Sequence, residues 1–410
     1  MFFVLLFVTR QTKESYAGFK QTEQGGNLMQ RNIGLALATA LMMFPQIVET
    51  IYSPALPHIA RHFSVTADQS AQTLSIYFLA FAFGVVVWGR LCDRVGRRPV
   101  MLMGLLVYGA ASVVALFSHQ FWMLLAARML AAFGAAVGSI GTQTMLRDSF
   151  SGTELARVFS VMGIALAVSP AIGMMAGSTL AGHFGHLGVF TGLALLAIVL
   201  FGWSVVRLPE SRPQHVATAP LTQTLLMMLR DPAIWRTAVL VALFNLGLFG
   251  YYQLAPFDFE RLGLSTDMFG YSGLLLAFGV VLGSFLNKRL IQYGWSSERL
   301  VLAAAVLTLI GGIFVVMMAS SWLFVLPMIV VVLAYGIAIP NILAKALASY
   351  GDRLGTAGAL LGLFYYLMLG GGLILAAWSQ QLGLVLVCCG VIAVPLAAAS
   401  HRQAGRVSSI

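Results

Sequence analysis

The chain has 410 residues, 59% of them hydrophobic and only 9% charged, with a mean hydropathy of +0.89 and a net charge of +10. This composition excludes a soluble globular protein, because apolar runs of about 20 residues, the length needed to cross a bilayer, recur along nearly the whole chain. Its basic residues are scattered among short loops rather than gathered on one face, which excludes a nucleic-acid-binding domain, and the polar segments are too short to hold a separate catalytic domain.

In chain order the predicted spans cover about 32–55, 70–90, 99–118, 121–143, 158–180, 187–206, 234–256, 268–287, 299–319, 322–344, 357–377 and 382–400. Before them, Met1–Val8 is apolar but too short to span, and no basic residue precedes it as a signal peptide requires. Residues 1–28 are therefore expected to be an upstream extension or disordered, without a functional role, with Met29 reading as a natural start. The longest polar interval, Arg207–Arg236, divides the chain. Residues 29–206 are expected to form one six-helix bundle, 207–233 a cytoplasmic linker, 234–400 a second bundle and 401–410 a cytoplasmic tail. Gly89-x-x-x-Asp93-Arg94 after span 2 recurs in degraded form as Gly283-x-x-x-Asn287-Lys288-Arg289 after span 8, which marks two related halves. The fold class expected from this pattern is an all-α membrane protein with twelve helices in two pseudo-symmetric six-helix bundles.

With the N-terminus in the cytoplasm, every Lys and Arg falls on the cytoplasmic side except Arg61 and Arg261, which lie outside, and Arg128, which lies within a span. This is the positive-inside pattern. It predicts a multi-pass chain with both termini cytoplasmic, and the net charge reads as orientation and contact with anionic lipid. Cys92, Cys388 and Cys389 read as small packing residues, since the adjacent pair has no His or second pair to complete a metal site.

Span 1 closes on Glu49-Thr50-Ile51-Tyr52-Ser53-Pro54-Ala55-Leu56-Pro57, and Glu49 is the one carboxylate clearly inside an apolar run. Span 4 carries Arg128 in a run that is otherwise apolar. Intramembrane charges are expensive and mark function by default. At 1.5 Å per residue both lie roughly 8–10 Å below the outer ends of their spans, which predicts a coupled site. Burial disfavours a charged carboxylate and a nearby guanidinium favours it, so movement between the two settings binds and releases a proton. A static ion pair, and for Arg128 outward snorkelling, are the competing readings.

The loop Gly89–Arg98 sets Arg90, Asp93, Arg94, Arg97 and Arg98 beside Gly89 and Gly96. One reading is a charge cluster that fixes orientation. The other is a gate, in which Asp93 meets an arginine or a helix N-terminus and Arg94, Arg97 and Arg98 reach helix C-termini or acids such as Asp148. In span 5, Gly163, Ser169, Gly173 and Gly177 are small enough for close helix approach, and Pro170 removes a hydrogen bond and kinks the helix. Tyr52, Asn245, Tyr251, Gln253, Asn341 and Tyr365 are candidate cavity residues, with helix packing as the competing reading for each.

Several of these segments resemble signatures of the major facilitator superfamily. Gly89–Arg98 resembles its loop between spans 2 and 3, G-x-L-x-D-R-x-G-R-R. Arg128 stands where the family has R-x-x-Q-G-x-G, with Ala131 and Ala132 in place of Gln and Gly. Gly163, Ser169, Pro170, Gly173 and Gly177 resemble the antiporter motif of span 5, with Ser169 replacing a Gly. The end of span 1 and Pro340-Asn341 resemble the Bcr/CflA branch of drug:proton antiporters, where D-x-Y-x-P-A-x-P is usual; here Thr50 stands at the acid and Glu49 lies one residue earlier.

The resemblance implies a protein of the bacterial inner membrane working by alternating access, with rigid halves rocking about a midplane cavity and the loop 89–98 as gate. Proton entry through Glu49 and Arg128 is expected to drive export of a small amphipathic drug or antibiotic. No catalytic residue, metal or cofactor is expected beyond the proton gradient. The expected partners are a drug-like small molecule, protons and the bilayer, with no nucleic acid, for a monomeric chain. An exporter or importer of one metabolite, a sugar or an amino acid, is the competing expectation. An integral enzyme is disfavoured, because the polar segments hold no nucleotide loop, paired-His metal motif or Ser-His-Asp set.

Overall fold

In a bilayer every backbone polar group must be satisfied within its own segment, so long apolar runs become helices. The computed structural model describes residues 34–213 and 220–408; the expected extension 1–28 lies outside the described residues, as do residues 214–219 of the linker and 409–410 of the tail. Among the described residues eleven helices are long and apolar enough to cross a membrane. Span 1 is Leu35–His62, span 2 Ala67–Val95, span 3 Arg97–Leu116 and span 4 Phe121–Ser149. Span 7 is Pro232–Arg261, span 8 Thr266–Gln292, span 9 Ser297–Met317, span 10 Trp322–Lys345, span 11 Leu354–Ser379 and span 12 Leu382–Arg402.

The remaining helix, Gly152–Arg207, has 56 residues. At 1.5 Å per residue it is roughly 84 Å long, against a hydrocarbon core of about 30 Å. It breaks at Gly185, whose φ of 62° and ψ of −156° suit a residue without Cβ. Beyond the break, Gly188 and Gly192 lie against Leu180 before it, so the chain reverses there. The segments before and after Gly185 are therefore spans 5 and 6, and the helix count reaches the expected twelve.

Local signals set the ends. Thr66 and Gln69 form a reciprocal cap on span 2. Asp231 accepts from the Ala233 N–H at the start of span 7, with Pro232 in a first-turn position where its missing N–H costs nothing. Span 1 outruns its predicted end at 55: Leu35–Tyr52 passes through a 3-10 turn, Ser53–Ala55, into Leu56–His62. Pro54 and Pro57 sit at the first positions of these segments and permit the continuation. Helical structure also extends into the polar ends. The linker contains a helix, Leu221–Leu229, whose Met228 packs with Ile234, Leu360 and Phe364. The expected tail is helical to Ser408, continuing span 12.

The two halves pack by the same rule. Spans 1 and 5, 2 and 4, 3 and 4 pair in the first half, as 7 and 11, 8 and 10, 9 and 10 do in the second. Gly84 lets span 2 approach the backbone of span 4 at Phe133, and Gly279 and Gly283 let span 8 approach span 10 at Ile329 and Leu333. The halves meet along two seams, span 2 against span 11 and span 5 against span 8, at Gly370 against Leu79 and Gly270 against Ser178.

The span-5 glycines divide by role. A Cβ on Gly173 would collide with Thr50, and one on Gly177 with the Ile51 carbonyl, so these two carry span 5 against span 1. Gly163 faces open space and brings no helix close. Gly177→Val is expected to force spans 1 and 5 apart, costing about 1–3 kcal/mol as overpacking does. Thermal unfolding in detergent reads this as a lowered midpoint, with Gly163→Ala unchanged.

Candidate functional site

Spans alternate in direction, which leaves a basic face, bearing the loop 89–98 and the linker, and a far face carrying the ends at 62–67 and 261–266. A cavity of about 260 Å³ lies between the halves. Met42, Gln46, Glu49 and Thr50 of span 1 line it with Phe81, Ser139, Gln143 and Pro170 from the rest of the first half. Asn245, Phe249 and Tyr252 of span 7, Tyr335 of span 10 and Tyr365 and Tyr366 of span 11 complete the wall. Leu343 and Gln143, near the basic-face ends of spans 10 and 4, also line it, so it extends toward that face. Glu49 is its one carboxylate, and no Lys, Arg or His lines it among the described residues.

Glu49 is buried at 5% exposure, one helical turn from Gln46 and Tyr52. Arg128, 2% exposed, is its electrostatic neighbour. The guanidinium does not snorkel; its Cζ lies 3.7 Å from the centroid of the Tyr52 ring and 4.7 Å from that of Tyr77. Nor do the two charges form the static ion pair considered from the sequence, since no N–O distance between them falls within 4.0 Å. Their expected common depth is corrected. Arg128 is level with Tyr52, three residues or roughly 4–5 Å nearer the far face than Glu49, because span 1 ends at His62 and not at 55.

Polar bonds join the halves on the far side of the cavity. Ser53 Oγ donates to the Tyr252 carbonyl. Gln253 Nε2 donates to Ala71 O and to Ser75 Oγ, each at 2.9 Å, across the seam between spans 7 and 2. At the rim, Arg61 pairs with Glu260 at 3.5 Å, both half-exposed. Gln253 is therefore part of a far-face lock and not of the cavity wall where it was expected. Tyr52 is corrected likewise, because its ring covers Arg128 and its hydroxyl bonds Thr73. Tyr251 turns into the second bundle and donates to Ser272 at 2.6 Å. Asn341 donates to Asn287 at 2.6 Å and lines a separate pocket at the basic face. Of the six candidate cavity residues, Asn245 and Tyr365 line this cavity. Gln46 was missed, although its polarity one turn before Glu49 was a usable signal.

On the basic face, Arg97 is the hub of the loop 89–98. It is 2% exposed, pairs with Asp148 at 2.7 Å and with Asp93 at 3.6 Å, and donates to Cys92 O at 2.8 Å. Arg98 donates to Val205 O at 2.9 Å, whereas Arg94 stands exposed. Gly89 lies inside the helix of span 2, facing Ile140 and Ala359. Gly96 has φ 122°, and a Cβ there would lie 2.7 Å from Glu210 Oε2. The Glu210 carboxylate accepts the Arg97 and Arg98 N–H groups at 2.9 and 3.1 Å, capping span 3 and docking the linker on the loop. Nothing in a single sequence ties position 210 to 97. Glu210→Ala is expected to free both amides, and hydrogen exchange at 97–98 then quickens roughly five- to thirtyfold, as for a lost cap worth about 1–2 kcal/mol.

Comparison with known proteins agrees with this architecture. The family model described as Major Facilitator Superfamily matches residues 35–375. A protein of Rickettsia bellii (strain RML369-C) described as an uncharacterized transporter is 30% identical over 351 residues, covering 80% of this chain and 85% of the relative. Multidrug resistance protein D of Escherichia coli (strain K12) is 28% identical, covering 81% and 86%. A chloramphenicol resistance protein of Pseudomonas aeruginosa is 28% identical, covering 82% of each chain. The crystal structure of a D-xylose-proton symporter superposes with a TM-score of 0.70 at 15% identity, covering 88% of this chain and 96% of that one, a likeness of fold. The drug-resistance relatives support the resemblance to the Bcr/CflA branch read from the sequence. Two pseudo-symmetric bundles, a cavity between them and this match over most of the length place the chain in the Major Facilitator Superfamily, a family of membrane transporters and not of enzymes.

Proposed function

We propose that the protein is a proton-coupled efflux antiporter of small amphipathic drugs or antibiotics, working by alternating access in a bacterial inner membrane with the basic face cytoplasmic. The observation that carries this reading is a single carboxylate, Glu49, lining an otherwise uncharged aromatic cavity beside a buried arginine. The wall mixes Met42, Phe81 and Phe249 with the polar ends of Gln46, Gln143, Asn245 and four tyrosines, so a bulky amphipathic ligand is held by burial together with a few hydrogen bonds. The names of the relatives support the substrate class, and the distribution of Lys and Arg supports the orientation.

In the cycle, Glu49 exchanges a proton for substrate while the cavity faces the cytoplasm. The far-face lock then opens as the loop 89–98 closes the basic face, and the substrate leaves outward. Rocking about the seams between spans 2 and 11 and spans 5 and 8 carries the change. The chain works as a monomer and needs only the proton gradient. Inverted membrane vesicles with an imposed pH gradient and a panel of chloramphenicol, ethidium and tetraphenylphosphonium test this reading. Accumulation that collapses with the gradient is expected. Indifference to the whole panel, with uptake of a sugar or amino acid altered instead, contradicts it.

A further inference from the structure

Arg128 is surrounded by donors without acceptors. Its Nε and Nη2, and the hydroxyl of Tyr77, have no hydrogen-bond partner within the protein, and the wholly buried Tyr108 places its hydroxyl beside Ser112 in the same cluster. Tyr77 is an electrostatic neighbour of Glu49, Arg128 and Tyr108 alike, which places the four groups in one cluster. Tyr52 offers Arg128 its ring face, and its hydroxyl donates to Thr73 Oγ1 at 3.0 Å. A hydroxyl can accept as well as donate, but a guanidinium only donates. Each unmet buried donor costs about 1–3 kcal/mol, and a buried cation without an opposite charge costs more. Tyr77 and Tyr108 supply O–H groups and Arg128 supplies N–H groups and a positive charge, which is the donor set of an anion site.

We propose that Arg128, Tyr77 and Tyr108 form a binding site for a small monovalent anion of chloride size, and that it fills when Glu49 is protonated. The coupling rests on the reading of Glu49 as the proton carrier. A charged Glu49 supplies the negative charge that Arg128 needs, and a protonated one does not. Proton and anion therefore strengthen each other's binding, and the effect is reciprocal. The groups facing Glu49 are Tyr52 on its own helix, Tyr77, Arg128, Tyr252, Tyr335, Tyr365 and Tyr366. Glu49 is the one carboxylate among them, and on this reading it is the group that exchanges the proton. The anion remains with the protein as a counter-charge, and no bond is made or broken.

Chloride titration of the purified protein in gluconate buffer of constant ionic strength, followed by calorimetry, tests the site. Wild type is expected to bind chloride at pH 5 and at least about tenfold more weakly at pH 9, the factor of one unit of proton linkage. Glu49→Gln is expected to bind it equally at both. Tyr77→Phe keeps the ring beneath Arg128 and is expected to weaken binding about tenfold, as loss of a hydrogen bond to a charged group does; Tyr108→Phe provides a second variant. Absence of binding in Glu49→Gln, or the same pH dependence there as in wild type, overturns the proposal. Gradient-driven efflux in chloride-free vesicles reads the transport function separately. Efflux that needs Glu49 without any chloride binding removes the anion site alone, whereas chloride binding with efflux indifferent to Glu49 removes the transport reading and leaves the site.

Discussion

Glu49→Gln is expected to remove most of the efflux driven by a pH gradient while leaving substrate binding in place. Glutamine keeps the shape and the hydrogen-bonding ends of the side chain and removes only its proton exchange. No other carboxylate, and no Lys, Arg or His, lines the cavity among the described residues, so no neighbour is placed to take over. Each unit by which the proton affinity of the carboxylate differs between the two states is worth a factor of ten in coupling. Its loss is therefore expected to reduce gradient-driven transport by about ten- to a hundredfold. Glu49→Asp, which keeps the charge, is expected to retain part of it. Counterflow between equal pH on both sides, measured in the same vesicles, is expected to survive in Glu49→Gln and so separates lost coupling from lost folding.

Gln253→Leu is the second large effect. The substitution removes two bonds of 2.9 Å and takes from Ser75 Oγ its donor at the seam between the halves, while Ala71 O keeps its bond within the helix of span 2. Leaving buried polar groups unmet costs about 1–3 kcal/mol. That cost falls on the state in which the far face is closed, because the bonds cross between the halves there. The balance should move toward the far-face-open state by roughly 5- to 150-fold, as a coupling of that size requires. Pulsed electron-spin distances between labels at 63 and 262 are expected to show a longer population in Gln253→Leu. An unchanged distribution would mean that Ser53 and the Arg61–Glu260 pair hold the face without Gln253.

The fold was legible because its determinants repeat along the chain. Twelve apolar runs and the asymmetry of Lys and Arg are properties of segments, and neither depends on which helix touches which. The echo at 283–289 was also legible: Gly283 brings span 8 against span 10, and Asn287 bonds Asn341 of span 10. The cavity was legible only in part. Glu49 stood out by its scarcity, but the depth assigned to it depended on where span 1 ends, and two prolines at the start of new helical segments moved that end to His62. Gln253 and Tyr252 are adjacent in sequence yet take separate parts: Gln253 joins the lock, while Tyr252 lines the cavity and lends the lock only its carbonyl. A helical step of about 100° between neighbours decides such cases, and its phase is set by packing against another span.

The loop 89–98 follows the same division. Its charge and glycines announce a special segment, and the pairing of Arg97 with Asp148 was among the expected contacts. The carboxylate that caps span 3 comes from Glu210, more than a hundred residues along the chain. Long-range partnership of this kind follows from the fold and leaves no local trace.

Proton release on substrate binding tests the central claim most directly. The purified protein in weakly buffered detergent solution receives the exported compound that the vesicle panel identifies, and a pH dye records the protons released. One carboxylate exchanging its proton for substrate predicts about one proton per bound molecule from wild type and none from Glu49→Gln, with substrate bound in both. Equal release from the two proteins would place the exchangeable proton on another group and contradict the account.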